Sequence, residues 1–296
     1  MQPAILLRTL RPSFLVLTPV CVFLGLSTSL AAQSSINYFM AALVLMGALA
    51  AHVSVNTLNE YHDFKSGLDL KTERTPFSGG SGALPGNPEM AGLVLTVGLL
   101  SLLVTVAIGL YLVVQHGMQI LPIGLVGVLL VITYTQWLNR SPLLCLMAPG
   151  LGFGVLMVVG THVVLTGEYS GLVWIVALVP FFLINNLLLL NQYPDIEADA
   201  SVGRNTLPVA FGAGASNFVY ALFMVASCAT ILLLLVTGYL PGLGIIALLP
   251  IGFSLFAFAG VMKHAANVGR YPRYLGANVA AAILTPLLLG VSLVSG

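Results

Sequence analysis

Charge is what this chain has least of. Only 6% of its 296 residues are Asp, Glu, Lys or Arg, against roughly 25% in soluble domains. Hydrophobic residues make up 58%, and the mean hydropathy is +1.04. A soluble globular fold is excluded and a polytopic membrane protein indicated. Cysteine is scarce too. Cys21, Cys145 and Cys228 each lie in an apolar segment, with no CxxC spacing and an odd count. That excludes a disulfide framework and a thiolate zinc site, and leaves them as small core residues. The alternating pattern of barrel strands is absent, so the spans are helical and the fold class is all-α. No nucleic-acid partner is expected.

What the chain does have is long apolar runs. Nine reach the roughly 20 residues that cross a bilayer: about 12–31, 37–58, 90–114, 118–136, 143–165, 171–192, 215–237, 241–262 and 275–295. The first, preceded by Arg8 and Arg11 and followed by Ser29-Leu30-Ala31, has the outline of a cleaved signal. Its length and the span that follows at once favour a retained helix. With the N-terminus in the cytoplasm, all ten basic residues fall on the cytoplasmic side and none in an external link, which is the positive-inside pattern. The links 32–36, 115–117, 166–170 and 238–240 are then external and short. The long links, 59–89, 193–214 and 263–274, are internal. A single domain over 1–296 is expected.

Eight of the nine acids, all but Glu168, sit in the first two internal links. Asn56, Asn59, Glu60, Asp63 and Asp69 follow the second span; Asn191, Asp195, Glu197 and Asp199 follow the sixth. Asn59 and Asp63 are spaced as Asn191 and Asp195 are, both offset by 132 residues (191 − 59 and 195 − 63). The clusters are four spans apart, which implies a parallel internal repeat and one site built from two halves at the cytoplasmic interface. A helix would put Asn191, Asp195 and Asp199 on one face. Pro194 either bends that helix or opens a new one.

Asparagines at 56, 59, 185, 186 and 191 reach back into the spans, where polar groups are costly and usually functional. All-oxygen ligands suit Mg²⁺ or Mn²⁺ rather than zinc. Interleaved Lys65, Lys71, Arg74 and Arg204 suit phosphate. The residue types therefore favour a metal-bound phosphate or diphosphate whose tail lies among the helices. The run Ser78-Gly79-Gly80-Ser81-Gly82 lacks the P-loop pattern and reads as a flexible loop that can add N–H donors. His52 and His162, inside spans, read as satisfied buried histidines; His62, beside Asp63, is the better acid–base candidate.

At these residues the chain resembles the UbiA superfamily of intramembrane prenyltransferases. Asn56-Thr57-Leu58-Asn59-Glu60-Tyr61-His62-Asp63, then Gly67 and Asp69, looks like its first aspartate-rich motif. Asn191 to Asp199, then Gly203-Arg204-Asn205-Thr206-Leu207 and Gly212, looks like the second. Tyr134-Thr135 and Gly150-Leu151-Gly152-Phe153-Gly154 to Gly160 resemble the branch that prenylates 1,4-dihydroxy-2-naphthoate for menaquinone. The resemblance covers most of the chain and implies nine helices, matching the count above.

It also implies roles. Asn59, Asp63, Asn191, Asp195 and Asp199 would hold Mg²⁺, two ions, against an isoprenyl diphosphate. Asp63, Asp195, Asp199 and His62 are then catalytic candidates, with Glu60, Asp69 and Glu197 in reserve. Asn56, Lys65, Lys71, Arg74, Arg140 and Arg204 would contact the diphosphate. Tyr61, Tyr134 and Tyr193 offer faces to an allylic cation. The small aromatic acceptor would be prenylated inside a bacterial cytoplasmic membrane. One departure concerns that acceptor. The naphthoate branch often carries Gly-Leu-Gly-Glu at the start of the fifth helix, and Ser141 to Gly154 here contains no acid. Acceptors such as 4-hydroxybenzoate, homogentisate, haem, chlorophyllide or a glycerol-phosphate lipid stay open. The rival from another class is a transporter, which binds near the midplane, often between inverted repeats; the parallel repeat and helix-end acids speak against it. Prenyl length and oligomeric state are not legible.

Overall fold

The computed structural model describes residues 2–32 and 35–295. Gln33 and Ser34, in the expected first external link, lie outside the described residues. Among the described residues are eight helices long and apolar enough to cross a membrane, and one shorter apolar helix. In chain order they are α1 (Pro12–Ala32), α2 (Tyr38–Ser66), α3 (Pro88–His116), the short α4 (Met118–Thr133), α5 (Pro142–Thr166), α6 (Gly171–Asn191), α7 (Leu207–Val236), α8 (Gly242–Arg270) and α9 (Pro272–Val294). Together they match the nine expected spans.

A helix apolar on every side belongs either in a core or in lipid. α6 is the core case: it packs against α5, α7 and α9. Lipid gives helices no hydrophobic reason to associate, so close approach of small residues must do it. A Cβ on Gly150 would lie 2.3 Å from the Phe181 carbonyl oxygen, and one on Gly154 2.4 Å from the Phe181 nitrogen. Buried polar staples add to this. Thr18 Oγ1 meets His52 Nδ1 at 2.8 Å and Thr28 Oγ1 meets His162 Nδ1 at 2.9 Å. Tyr220 donates to Asn278 Oδ1 (2.7 Å), Asn278 to the Asn186 carbonyl (2.9 Å) and Asn186 to the Tyr220 carbonyl (2.9 Å), closing a ring across α6, α7 and α9. Such bonds contribute about 0.6 kcal/mol each in membrane proteins.

The other half is looser. α2, α4 and α5 leave a cavity between them, floored by α3. α2 and α6 both bring their C-terminal ends to one end of the bundle, as a parallel repeat requires.

Several boundaries moved. α4 stops at Thr133 rather than 136, and turns carry the chain from there to Arg140. α7 starts at Leu207, eight residues earlier than expected, and is broken at Gly212 (φ 76°, ψ 177°). Inside α5, Pro149 is followed by a π-helical stretch, Gly150–Met157, whose first amide donates to Asn185 Oδ1 at 2.6 Å. Such widened turns recur at functional sites. A further helix, Gln2–Thr9, precedes α1.

Candidate active site

The last turns of α2 carry Asn56, Asn59 and Asp63 at i, i+3 and i+7, one face of a helix. Gly67, left-handed at φ 78°, then stops the helix, and the turn Leu68–Leu70 brings Asp69 back, 3% exposed. α6 ends at Asn191. Gln192 to Asp195 form a turn, and a short helix, Ile196–Ser201, carries Asp199. Pro194 thus sits in the turn between two helices, and one continuous helical face for Asn191, Asp195 and Asp199 is not what forms. The turn gathers them instead. All line the same cavity as Asn56, Asn59, Asp63 and Asp69.

Arg204 joins the halves. Its Nη2 pairs with Asp63 Oδ1 and its Nη1 lies 3.5 Å from Asp199 Oδ1. Asn59 Nδ2 holds the other Asp63 oxygen at 2.9 Å, while Thr135 donates to Asn59 Oδ1 at 3.1 Å. Burial alone would lower the Arg204 pKa, but the Asp63 and Asp199 charges raise it.

Two carboxylate oxygens are left over. Asp69 Oδ2 and Asp195 Oδ1 are buried with no hydrogen-bond partner. Burial pushes Asp195 up to about 7, with the Asp199 charge adding and Arg204 and the Gly79 amide opposing. Burial likewise takes Asp69 to about 7, helped by Glu60 and Asp63. Asp199 rises to about 6 through burial, restrained by Arg204. Acids so placed want a cation. Among the described residues no three His, Cys, Asp or Glu side chains close round one point, so the protein alone does not complete a metal's shell. That fits Mg²⁺, which is usually held by one or two carboxylates with water and phosphate oxygens completing the octahedron.

The glycine-rich loop lies over the cavity mouth. Glu60, 1% exposed, takes the Ser81 amide (2.7 Å) and hydroxyl (2.6 Å), and Arg8 donates to the Ser81 carbonyl at 3.0 Å. Gly79 and Gly80 line the cavity. Gly80 has φ 71°, and a Cβ there would come 2.7 Å from Asp69 Oδ1. The loop is held, not free. Glu60 serves it rather than the cavity wall.

From the mouth, apolar walls descend beside His52, Gly124, Phe153 and Gly160 to Val44 and Ile120. Asp63 to Val44 spans about 28 Å of helix, close to the ~30 Å hydrocarbon core. The cavity volume is about 530 Å³.

Seven expected site residues are outside this cavity. Tyr61 and Lys65 each lie two positions along the helix from Asn59 or Asp63, which turns them to the opposite face; Lys65 Nζ sits 5.8 Å over the Tyr61 ring instead. His62, one step from Asp63, reaches Gln136 Nε2 at 3.0 Å. Lys71 donates to Ser201 at 3.2 Å, and Arg74 to the Asp69 carbonyl at 3.1 Å under Gly82. Arg140 is exposed because its neighbour Asn139, 5% exposed, takes the inward place. Tyr134 does line the cavity, whereas Tyr193 is buried away from it.

Other residues enter the wall unannounced. Arg11 reads as a topology signal, yet it lines the cavity with its backbone left-handed (φ 52°) and Asn56 donating to the preceding Leu10 carbonyl at 2.9 Å. A positive φ on a non-glycine residue costs about 1 kcal/mol or more. Gln192 also lines the cavity. Its Nε2 meets Cys145 Sγ at 3.4 Å, and its Oε1 is buried without a partner. A cation just before Pro12 and a glutamine beside the motif asparagine were the only hints.

Paired acid-bearing helix ends over a long apolar bore define a helical membrane enzyme whose polar chemistry sits at one face of the bundle. Residues 17–280 match the profile of the UbiA prenyltransferase family, and the chain belongs to that family. It is 27% identical over 229 residues to the 1,4-dihydroxy-2-naphthoate octaprenyltransferase of Bacillus subtilis, covering 75% of this chain and 71% of that protein. Its fold resembles a UbiA homologue from Aeropyrum pernix (TM-score 0.73, 15% identity, 95% of this chain and 97% of that one). It also resembles a UbiA homologue from Archaeoglobus fulgidus bound to GPP and Mg²⁺ (TM-score 0.66, 15% identity, 99% and 100%).

Proposed function

We propose that this prenyltransferase moves a long isoprenyl chain from its diphosphate to 1,4-dihydroxy-2-naphthoate, at the cytoplasmic face of a bacterial cytoplasmic membrane. The observation that carries the reading is the continuity of one cavity, polar at a mouth with two unpartnered carboxylate oxygens, apolar for the rest of its depth. A diphosphate with a hydrocarbon tail has that shape. The octaprenyl relative supports a long donor and the naphthoate acceptor.

Asn59, Asp63, Asp69, Asn191, Asp195 and Asp199 would hold two Mg²⁺ ions. When bound, they neutralise the diphosphate and ease departure of its charge. Arg204 and Arg11 supply fixed positive charge where negative charge builds as the C1–O bond breaks. The diphosphate leaves with the bonding pair. Helix walls and the Ser78–Gly82 loop keep water from the allylic cation, and the Tyr134 ring faces the same space. Gln192, adjoining Asn191, offers its free Oε1 to an acceptor hydroxyl. The acceptor carbon bonds to C1 and the carboxylate leaves as CO₂.

The test is product formation by purified protein with Mg²⁺, donors from geranylgeranyl to octaprenyl diphosphate, and a panel of acceptors, read by mass spectrometry. A prenylated naphthoquinol that has lost CO₂ is expected. Prenylation of 4-hydroxybenzoate or another acceptor alone would overturn the acceptor assignment and leave the chemistry standing.

A further inference from the structure

On the lipid-facing side of the bundle, away from the active-site cavity, α8 and α9 enclose a shallow groove. Phe253 and Phe256, 45% and 44% exposed, form its α8 wall. Gly276, Ala277 and Ala280 form its α9 floor, at i, i+3 and i+4 spacing from one another and from Arg273 at the groove's end. From Arg273 to Ala280 the floor runs about 10 Å along the helix. Small residues on one helix against phenylalanines on the other leave a slot of hydrocarbon width.

The end of the slot is cationic. Arg273 is exposed, donates to the Tyr274 hydroxyl at 3.1 Å and stands 4.9 Å over that ring. Lys263 lies seven residues beyond Phe256, on the same face of α8 and toward the same end. Neither cation is in an ion pair among the described residues. No acid follows Asp199 in the chain, so neither α8 nor α9 carries a carboxylate to balance these cations. This corner lies on the polar face, since Gly269 abuts Pro194 beside the active-site acids.

We propose that this groove is a binding site for an anionic phospholipid of the surrounding bilayer, its phosphate between Arg273 and Lys263 and one acyl chain along Gly276, Ala277 and Ala280. A guanidinium grips phosphate oxygens through parallel N–H bonds, and basic pockets between membrane helices select anionic headgroups. A second copy of this chain would fill the slot but bring no counter-charge, because the same corner of that copy is cationic too.

The test is native mass spectrometry of the full chain released from nanodiscs of mixed phosphatidylglycerol and phosphatidylcholine with identical acyl chains. Retention of phosphatidylglycerol over phosphatidylcholine is expected. Arg273→Gln and Lys263→Gln should each cut that preference about fivefold. Ala280→Phe keeps both charges and fills the slot, so it should reduce retention of both lipids. Position 280 is chosen because a side chain on Gly276 would press on Phe77, 3.2 Å away. Arg140→Gln, an exposed cation elsewhere, should leave the preference intact. Equal retention of the two lipids by the wild type, or an undiminished preference in Arg273→Gln, would overturn the proposal. So would a dimer that Ala280→Phe converts to monomer with lipid retention unchanged.

Discussion

Arg204 shows most directly how a single side chain joins two distant segments. It holds Asp63 from the first motif and Asp199 from the second. Removing one partner of a buried ion pair costs about 3–5 kcal/mol, because the other charge stays buried and unmatched. Arg204→Gln should therefore lower Tm, and by removing fixed positive charge where the diphosphate departs it should also lower kcat/KM at least a hundredfold. Arg204→Lys should recover little, since a point charge does not reach both carboxylates as a planar fork does; steady-state kinetics checks both. Gln192 calls for a different readout. Gln192→Leu should raise KM for the hydroxylated acceptor about tenfold while leaving KM for the isoprenyl diphosphate alone, as expected when one neutral hydrogen bond is lost. Wild-type acceptor kinetics in that variant would remove Gln192 from the acceptor site.

At the scale of elements, the glycine-rich loop and the α2 helix are coupled through Glu60. A glutamate one residue after Asn59 invites assignment to metal. It lies four residues after Asn56 and three before Asp63, close to their face, but its two oxygens are taken by the Ser81 amide and hydroxyl. Glu60→Ala should loosen residues 75–82, seen as faster amide exchange there, and lower kcat/KM about tenfold. The Mg²⁺ concentration for half-maximal rate should stay unchanged. A shift in that concentration would return Glu60 to the metal site. Helical phase, by contrast, explains Tyr61 and Lys65. In a nearly all-apolar sequence, every polar residue near a helix end looks functional; 100° of rotation per residue then separates those that face the cavity from those that face lipid or solvent.

For the whole molecule, the buried acids set how stability depends on pH and metal. Asp69, Asp195 and Asp199 have folded pKa values near 7, 7 and 6, above the 3.8 of a free aspartate. The folded state therefore binds more protons than the unfolded state between about pH 4 and 7, so stability rises as pH falls through that window. Metal-free protein in detergent should melt higher at pH 6 than at pH 8. Added Mg²⁺ should raise Tm more at pH 8, where the carboxylates are ionised and ready to bind it. A Tm that falls on acidification without metal would contradict this account.

The sequence by itself determined the nine helices and the two polar clusters. Both follow from local physics: the bilayer demands about 20 apolar residues per span, and uncompensated polar groups are too costly to scatter among them. It also placed Asn59, Asp63, Asn191, Asp195 and Asp199 in motifs a fixed distance apart. Only the tertiary structure decided which side chains share the cavity. Arg11 entered because a left-handed backbone turns it inward and Asn56 ties the carbonyl before it. Lys65, Lys71, Arg74 and Arg140 stayed out because helix phase, a serine, a backbone carbonyl and an inward Asn139 each claimed the geometry first. Long flexible cations reach whatever the fold sets near them, and no spacing along the chain records what that is.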